Sequence, residues 1–310
     1  MNRKSTALII SCLLLLASCA LTGQSVLPVV EEGLPVQVYF CPVDDCNGVL
    51  VSQLSNADDI VCALYSLDVA ELRSILKEKN ARIVAETDNK NDFSGLDVVF
   101  DNRNALMHNK FCVLDSRTVI TGSYNPTAKN IKANNLVVIP SEFLAQNYLA
   151  EFNELRQGKF GAGKPVRYPV IIYNNATIQT AFCPEDFCAE KVLNTLKKAK
   201  ENMKFMTYSF TDDKIGDFLA QTGLRVEGIF DSSQNSEYSE YNKLKNKSIV
   251  LKGIHHKVFI IDNTTVITGS YNPTKNGNEK NDENLLIITD GAVAQKYTRQ
   301  FSQMLALRSH

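Results

Sequence analysis

The chain has no tryptophan among its 310 residues, which excludes a belt of Trp side chains at a membrane interface. Its 15 glycines are too few for a collagen-like fibre, and its eight cysteines are too few for a miniprotein built on disulfides. Neither charge sign dominates, because 33 basic and 34 acidic residues give a formal charge of -1, so the composition requires no nucleic-acid partner. The 44% apolar and 22% charged residues indicate a globular protein of about two domains.

The N-terminal apolar run, residues 7–17, is shorter than the roughly 20 residues that a spanning helix needs. With Arg3 and Lys4 before it, the run predicts a signal peptide over residues 1–18. The sequence that ends at Cys19 resembles a bacterial lipobox, so we expect Cys19 to be lipidated and to anchor an exported protein in a membrane of the cell envelope. The other interpretation is ordinary signal-peptide cleavage after Ala20, which gives a soluble secreted or periplasmic protein.

Charge is uneven along the expected mature chain. Residues 19–163 carry 12 basic and 18 acidic side chains, a balance of -6, whereas residues 164–310 carry 19 and 16, a balance of +3. If one half holds most of an anionic substrate, we therefore expect it to be the second.

The chain contains an internal repeat. Residues 121–127, Thr-Gly-Ser-Tyr-Asn-Pro-Thr, return unchanged at 268–274, and a Cys-Pro-x-x-x-Cys segment also occurs twice. The order and spacing of the repeated segments agree, which indicates a duplicated domain. We place the first repeat at 36–156, a glycine-rich linker at 157–168 and the second repeat at 169–310.

Helix and strand patterns alternate in the same order in both repeats, which predicts an α/β fold of layered sheets and helices. Several continuous apolar runs are typical of strands that are buried on both faces. Predicted strands cover 60–67, 82–85, 110–114 and 137–139 in the first repeat and 203–210, 225–230, 257–261 and 285–288 in the second. Predicted helices cover 49–54, 69–79, 191–196 and 214–221, and one more follows the last strand of each repeat.

Each repeat carries the chemistry for phosphoryl transfer. His108 and Lys110, like His255 and Lys257, are two residues apart on a predicted strand and share a face. Histidine can act as nucleophile or as acid and base near neutral pH, and Lys, Asn and Ser side chains can bind phosphate oxygens. Two such sets around one phosphate would let one His attack phosphorus while the other protonates the leaving oxygen.

The pattern His-x-Lys-x4-Asp followed by Gly-Ser-x-Asn resembles the signature of the phospholipase D superfamily, and it is complete in both repeats. The resemblance implies a duplicated domain in which two mixed β-sheets, flanked by helices, pack about a pseudo-twofold axis. It also implies a monomer with one pseudo-dimeric site, no metal or other cofactor, and a phosphohistidine intermediate. It assigns His108, Lys110, Asn125, His255, Lys257 and Asn272 to the site, Ser123 and Ser270 to its edge, and Asp115 and Asp262 to a structural role in the motif turn.

The repeats differ at one position of the expected site. Glu283 stands where superfamily members carry an acid that hydrogen-bonds a catalytic His, and Asn134 takes this place in the first repeat. A carboxylate behind an imidazole raises its basicity and stabilises a cationic phosphohistidine. In the similar tyrosyl-DNA phosphodiesterases the acid of the second half contacts the His of the first. That analogy makes His108 the nucleophile and His255 the general acid, although the sequence alone does not say which His Glu283 faces.

His256 occupies the variable position of the second motif, so we expect it to be nonessential. A zinc site formed with its neighbour His255 is the other interpretation, which is disfavoured because adjacent strand residues point to opposite faces. Tyr65 and Tyr208, each followed by Ser, are expected at the ends of core strands, and lining of the cleft, as in some superfamily members, is the alternative.

The cysteines form three sets. Outside the cytoplasm we expect the short-loop disulfides Cys41–Cys46 and Cys183–Cys188, with a metal site joining all four cysteines as the alternative. Cys62 and Cys112 lie in apolar strands, for which buried free thiols are the default interpretation, and the sequence leaves open whether the two pair. Because Phe205 and Phe259 replace both of them in the second repeat, we expect the two cysteines to be neighbours.

Three functions fit the motifs. The first is a metal-independent nuclease, since the compact repeats and the Gly-Ser-Tyr-Asn-Pro-Thr segments resemble the small nuclease branch of the superfamily. The second is a phospholipase D or phosphatidyl transferase acting on membrane phospholipids, which a membrane anchor would suit. The third is an inactive surface-binding lipoprotein, which two intact motifs disfavour. The sequence favours the nuclease, with a nucleic-acid phosphodiester as substrate.

Overall fold

The computed structural model describes residues 28–128 and 132–307. The expected signal peptide and the lipidation site Cys19 lie outside these residues, so export and lipidation remain predictions. Within the two described ranges, no helix combines the length and the apolar character that a membrane crossing requires.

The first repeat builds a seven-stranded mixed sheet with three helices. The strands are β2 (Gln37–Cys41), β3 (Ile60–Leu64), β4 (Arg82–Glu86), β5 (Asp97–Asp101), β6 (Lys110–Leu114), β7 (Thr118–Gly122) and β8 (Asn134–Pro140). The helices are α1 (Cys46–Ser55), α2 (Ala70–Glu78) and α3 (Glu142–Arg156), and a 3-10 segment covers Thr87–Phe93. The strand order is β2-β8-β7-β6-β3-β4-β5, in which the β3–β4 and β4–β5 pairs are parallel and the other pairs are antiparallel.

The second repeat builds a nine-stranded sheet of matching design. Its strands are β9 (Val170–Tyr173), β10 (Ala176–Cys183), β11 (Asn202–Thr207), β12 (Arg225–Asp231), β13 (Ser248–Leu251), β14 (Lys257–Ile261), β15 (Thr265–Gly269) and β16 (Glu283–Thr289), joined by β1 (Val29–Glu31) from the start of the described chain. The helices are α4 (Cys188–Leu196), α5 (Asp213–Gln221), α6 (Tyr241–Leu244), α7 (Lys275–Glu279) and α8 (Gly291–Ala306), and a 3-10 turn covers Ser232–Gln234. The order is β1-β9-β10-β16-β15-β14-β11-β12-β13.

The long helices α3 and α8 lie between the two sheets, and each contacts strands of both. Their aromatic side chains, Tyr148 and Phe152 on α3 and Tyr297 and Phe301 on α8, are buried in one core that joins the repeats. Burying each ring contributes roughly 1.5–3 kcal/mol. The outer faces of the sheets are covered separately, by α1 and α2 on the first and by α4 and α5 on the second. The predicted fold class, a duplicated α/β domain with two mixed sheets, is confirmed.

Equivalent backbone hydrogen bonds join the repeats on both sides of the pseudo-twofold axis. The His108 N–H donates to the carbonyl of Asp282 at 2.9 Å, and the His255 N–H donates to the carbonyl of Ala133 at 2.8 Å. Each motif histidine is therefore anchored by the opposite repeat, at the interface between the two sheets.

The predicted strands and helices are present, and the differences lie at their ends. The runs predicted as strands 60–67 and 203–210 leave the sheet after Leu64 and Thr207. Buried apolar residues continue beyond these points because the chain turns into the core without further pairing, so hydrophobicity alone overestimates the strands. Between α3, which ends at Arg156, and β9, which begins at Val170, the chain is irregular.

Disulfides Cys41–Cys46 and Cys183–Cys188 are present as predicted. The interpretation of Cys62 and Cys112 as free thiols is wrong, because they form a third disulfide. The expectation that they are neighbours is confirmed: they are directly opposed on β3 and β6, with Cα atoms 4.1 Å apart. The pairing depends on strand register, which the spacing in the sequence does not reveal.

Candidate active site

The two motif lysines begin equivalent strands, β6 and β14, and each bends back towards its histidine. Lys110 Nζ donates to the carbonyl of His108 at 2.7 Å, and Lys257 Nζ donates to the carbonyl of His255 at 2.7 Å. All four residues are buried, with at most 8% of each exposed. Each histidine lies two residues before its strand begins, so the prediction that each His and Lys pair shares a strand is wrong, although the hydrogen bond keeps each lysine beside its histidine.

Glu283, at the start of β16 in the second repeat, contacts the histidine of the first. Its two carboxylate oxygens lie 2.9 and 2.8 Å from His108 Nδ1. The hydroxyl of Ser270 donates to the same carboxylate at 2.6 Å, which fixes its position. The structure therefore answers the question that the sequence left open, and it leaves His108 Nε2 as the ring nitrogen available to a substrate.

Asn134 makes the equivalent contact with the second histidine. Its Oδ1 lies 2.7 Å from His255 Nδ1 and also accepts a hydrogen bond from Ser123 Oγ at 3.1 Å. Because an amide oxygen only accepts, the proton of neutral His255 is on Nδ1 and Nε2 carries the lone pair. Ser123 and Ser270 were expected at the edge of the site, but both are fully buried behind the residues that orient the histidines.

Burial sets the protonation of this cluster. Burial and the nearby lysines hold the pKa of His108 and of His255 well below the usual range. Burial also lowers the pKa of Lys110 to about 7 and lowers that of Lys257 strongly, with repulsion from Lys110 adding to the effect. Burial raises the pKa of Glu283 to about 8 against the opposing effect of Lys110. Since an anion would relieve these repulsions, the cluster is suited to bind a phosphate.

The Gly-Ser step of each motif requires glycine. Gly122 and Gly269 have φ values of +137° and +138°, in the region that L-residues rarely adopt. A Cβ at either position would collide with the carbonyl oxygen of the next strand, Asn135 O or Asn284 O. Glycine therefore lets each serine N–H reach that carbonyl, which places the serine hydroxyl beneath the site.

The remaining motif residues fall into two groups. Asn125 and Asn272 are half-buried in the loops that follow β7 and β15, on the side of their histidines. Asp115 and Asp262 directly follow the far ends of β6 and β14, about 16 Å along the strand from the lysines. Asp115 accepts the backbone N–H groups of residues 58 and 59, and Asp262 those of residues 200–202. Both aspartates therefore order turns and do not contact the candidate site's histidines.

His256 points away from the site into the interface between the repeats. Its Nδ1 lies 3.2 Å from Asn135 Nδ2, and burial with repulsion from Lys257 lowers its pKa to about 3. Asn109 takes the same place in the first repeat and accepts a hydrogen bond from Asn284 Nδ2 at 3.0 Å. His256 is therefore a neutral packing residue. Within the described ranges, no group of three or more His, Cys, Asp or Glu side chains is arranged to hold a metal ion.

Tyr65 and Tyr208 lie beside the motif histidines, which agrees with the alternative that they line the site and not with their placement in the core. The rings of Tyr65 and Tyr208 are only half-buried, with centroids 5.1 Å from His108 and 4.8 Å from His255. Lys110 Nζ lies 5.0 Å from the centre of the Tyr65 ring, and Lys257 Nζ lies 5.1 Å from that of Tyr208. The available sequence signal was the Tyr-Ser pair, which occurs at the end of an apolar run in both repeats.

Comparison with known proteins agrees with this geometry. The family model described as "Cardiolipin synthase, PLD-like domain" matches residues 47–156 and 192–305, one segment in each repeat. A phospholipase D of Rickettsia conorii is 30% identical over 144 residues, which are 43% of this chain and 72% of the relative. A mitochondrial cardiolipin hydrolase of Xenopus tropicalis is 25% identical over 154 residues, 46% of this chain and 70% of the relative.

A solved structure covers both repeats together. The phosphatidylserine synthase of Haemophilus influenzae superimposes on 85% of this chain, and 85% of its own, with a TM-score of 0.62 at 12% identity, a likeness of fold. The family model covers well over half of the chain, in both motif-bearing repeats. The chain therefore belongs to the phospholipase D superfamily of phosphodiester-hydrolysing enzymes.

Proposed function

We propose that the enzyme cleaves its phosphodiester in two transfers through His108. In the first, His108 Nε2 attacks phosphorus, a P–N bond forms, the bond to the leaving oxygen breaks, and His255 donates a proton to that oxygen. In the second, His255 takes a proton from water, whose oxygen attacks phosphorus and releases His108 and a phosphomonoester. The observation that carries the assignment is the contact of the Glu283 carboxylate with His108.

The Glu283 contact favours His108 as nucleophile for an electrostatic reason. A phosphorylated imidazole that keeps its Nδ1 proton carries a positive charge on the ring, and a carboxylate 2.8 Å away stabilises that charge. The amide of Asn134 offers His255 only a neutral acceptor. A protonated His255 is therefore less stabilised and gives up its proton more readily, which suits a general acid.

The lysines complete the site. Lys110 and Lys257 are anchored beside the histidines, so their amino groups are positioned before the substrate arrives. Burial disfavours their charged forms, and the phosphodiester anion counters that effect when it binds between them. Fixed cations in a buried site stabilise the charge that develops on the phosphoryl oxygens without reorganising. A bound phosphodiester anion also counters the repulsion that depresses the His255 pKa, so substrate binding promotes the protonation that the first transfer needs.

For the substrate we propose single-stranded nucleic acid. Half-buried rings of Tyr65 and Tyr208 flank the two histidines, and cationic side chains accompany both rings. Aromatic rings that stack bases, combined with cations that bind the backbone, are the usual means of holding single strands. Phospholipid is the second hypothesis, which the names of the Rickettsia and Xenopus relatives support. We further propose a monomer anchored in the cell envelope through Cys19.

One panel of substrates tests this proposal. The mature protein and its His108→Ala variant are incubated with labelled single-stranded DNA, duplex DNA, phosphatidylcholine and cardiolipin, each with excess EDTA. We expect the wild type to cleave single-stranded DNA fastest, with EDTA having no effect, and the variant to be inactive. Faster cleavage of either lipid would replace the nuclease proposal with the lipid hypothesis. Cleavage of none of the four would support the inactive binding protein.

A further inference from the structure

The two loops that lead into β8 and β16 differ in charge where they border the site. The cross-repeat hydrogen bonds align Ala133 with Asp282, so Lys132 corresponds to Asn281. Asn281 has a structural role, because its Oδ1 accepts a hydrogen bond from the N–H of Leu106 at 3.1 Å. The first repeat places a lysine at the same position.

Lys132 reaches across to the histidine of the second repeat. Its Nζ lies 4.6 Å from the centre of the Tyr208 ring, the ring that also contacts His255 and lies beneath Lys257 Nζ. After burial, which is the largest cause, the Lys132 charge is one of several that lower the pKa of His255 and of Lys257. The attraction between a cation and the face of an aromatic ring contributes about 0.5–1 kcal/mol, which favours a position of Lys132 Nζ beside Tyr208.

The two sides of the site are therefore electrostatically different. On the His255 side, two lysines accompany one tyrosine ring, and the residue behind the histidine is a neutral amide. On the His108 side, Lys110 lies over the Tyr65 ring, and the Glu283 carboxylate lies behind the histidine. If His108 attacks, the His255 side receives the leaving oxygen and whatever part of the substrate follows it.

We propose that Lys132 is a substrate-positioning residue that binds a second anionic group, the phosphate that follows the leaving oxygen along a nucleic-acid chain. The inference rests on the proposed nuclease function and adds to it a preference for substrates with more than one phosphate. Lys110 and Lys257 hold the scissile phosphate, and Lys132 contributes a contact that an isolated diester cannot use.

The test uses three dinucleotides that differ only in a terminal phosphate: TpT, pTpT and TpTp. We expect the kcat/KM of the wild type to be about tenfold higher for one of the two phosphorylated forms than for TpT. A gain of about this size is typical of one additional hydrogen bond between charged groups. Lys132→Ala should bring that ratio close to one, and Lys132→Arg should keep most of it. The matched control is Lys77→Ala, which removes an exposed lysine from α2 on the outer layer and should keep the wild-type ratio.

A second measurement does not depend on dinucleotides. Loss of one phosphate contact should reduce the salt dependence of single-stranded DNA binding, lowering the slope of log K against log salt by about 0.7. An unchanged ratio and slope in Lys132→Ala would overturn the inference, and so would an equal loss on all three dinucleotides, which would place the lysine on the scissile phosphate. Failure of the wild type to cleave any nucleotide while it cleaves phospholipid would refute the nuclease function itself.

Discussion

Glu283→Gln is the most informative single substitution in the site. The change keeps the shape of the side chain and still offers Oε1 to the His108 Nδ1 proton, so the tautomer and the ring orientation are retained. It removes the negative charge that Glu283 carries once His108 is phosphorylated, because the cationic ring then opposes the burial that raises the pKa of the carboxyl to about 8 in the empty site. Because Glu283 is fully buried and accepts the Ser270 hydroxyl, this charge is held in place and shielded from water.

The size of the effect follows from the contact distance. The carboxylate oxygen lies 2.8 Å from His108 Nδ1, which brings the centres of the two charges to about 4 Å in the phosphohistidine. Opposite charges at that distance attract by about 4 kcal/mol at an effective dielectric constant of 20. The difference between a charged and a neutral hydrogen bond sets a lower bound of about 1–2 kcal/mol. We therefore expect the rate of attack to fall by about 10- to 1,000-fold.

The assay is single-turnover release of nitrophenolate from bis(4-nitrophenyl) phosphate, a leaving group that needs no proton and so reports on attack alone. The matched control is Asn134→Asp, which introduces a carboxylate behind His255. Because it changes a residue on the acid side, we expect less than about a tenfold change in this step. If Asn134→Asp slows attack more than Glu283→Gln does, the assignment of the nucleophile is wrong.

Two further predictions concern stability. As the pH falls, His256 stays neutral in the folded protein down to its pKa of about 3, whereas in the unfolded chain it is protonated below about pH 6.5. The free energy of unfolding therefore decreases by up to about 1.4 kcal/mol per pH unit between these two values. Urea denaturation between pH 4 and pH 7 should therefore show a shallower loss of stability in His256→Asn, and parallel profiles would contradict this. Replacing both Cys62 and Cys112 by Ala should cost about 4 kcal/mol, because that disulfide links residues 50 apart, against about 2 kcal/mol for the Cys41–Cys46 pair, five apart. Equal losses in urea titrations would refute the role of loop length.

The sequence predicted most of the fold because two repeats were available for comparison. Each strand and helix pattern was supported by a second copy, and the two motifs indicated where the repeats must meet. Features that depend on which residues of two strands lie opposite each other could not be predicted from the sequence. The Cys62–Cys112 disulfide requires β3 and β6 to pair with these residues opposed, and β1 joins the sheet of the second repeat although it precedes the first.

In the site, too, residues within one motif could be predicted, whereas contacts between the repeats could not. The motif histidines and lysines could be identified because phosphoryl transfer needs those residue types at that spacing. The partner of Glu283 could be assigned from the sequence only by analogy, because the contact crosses between repeats. Lys132 was overlooked for a related reason. The charge balance of the two halves favours the second as the anion-binding half, yet this lysine belongs to the first and lies over Tyr208.

The central claim is that phosphorus becomes bonded to His108, and acid-quench labelling tests it most directly. The wild-type enzyme is mixed with an activated phosphodiester that carries a label on the retained phosphoryl group, in EDTA, and the labelled peptide is mapped. We expect the label on His108, none in His108→Ala, and accumulated label in His255→Ala because hydrolysis then lacks its base. Label on His255 in the wild type would reverse the assignment. No covalent label, with activity that chelation abolishes, would contradict the phosphohistidine mechanism itself.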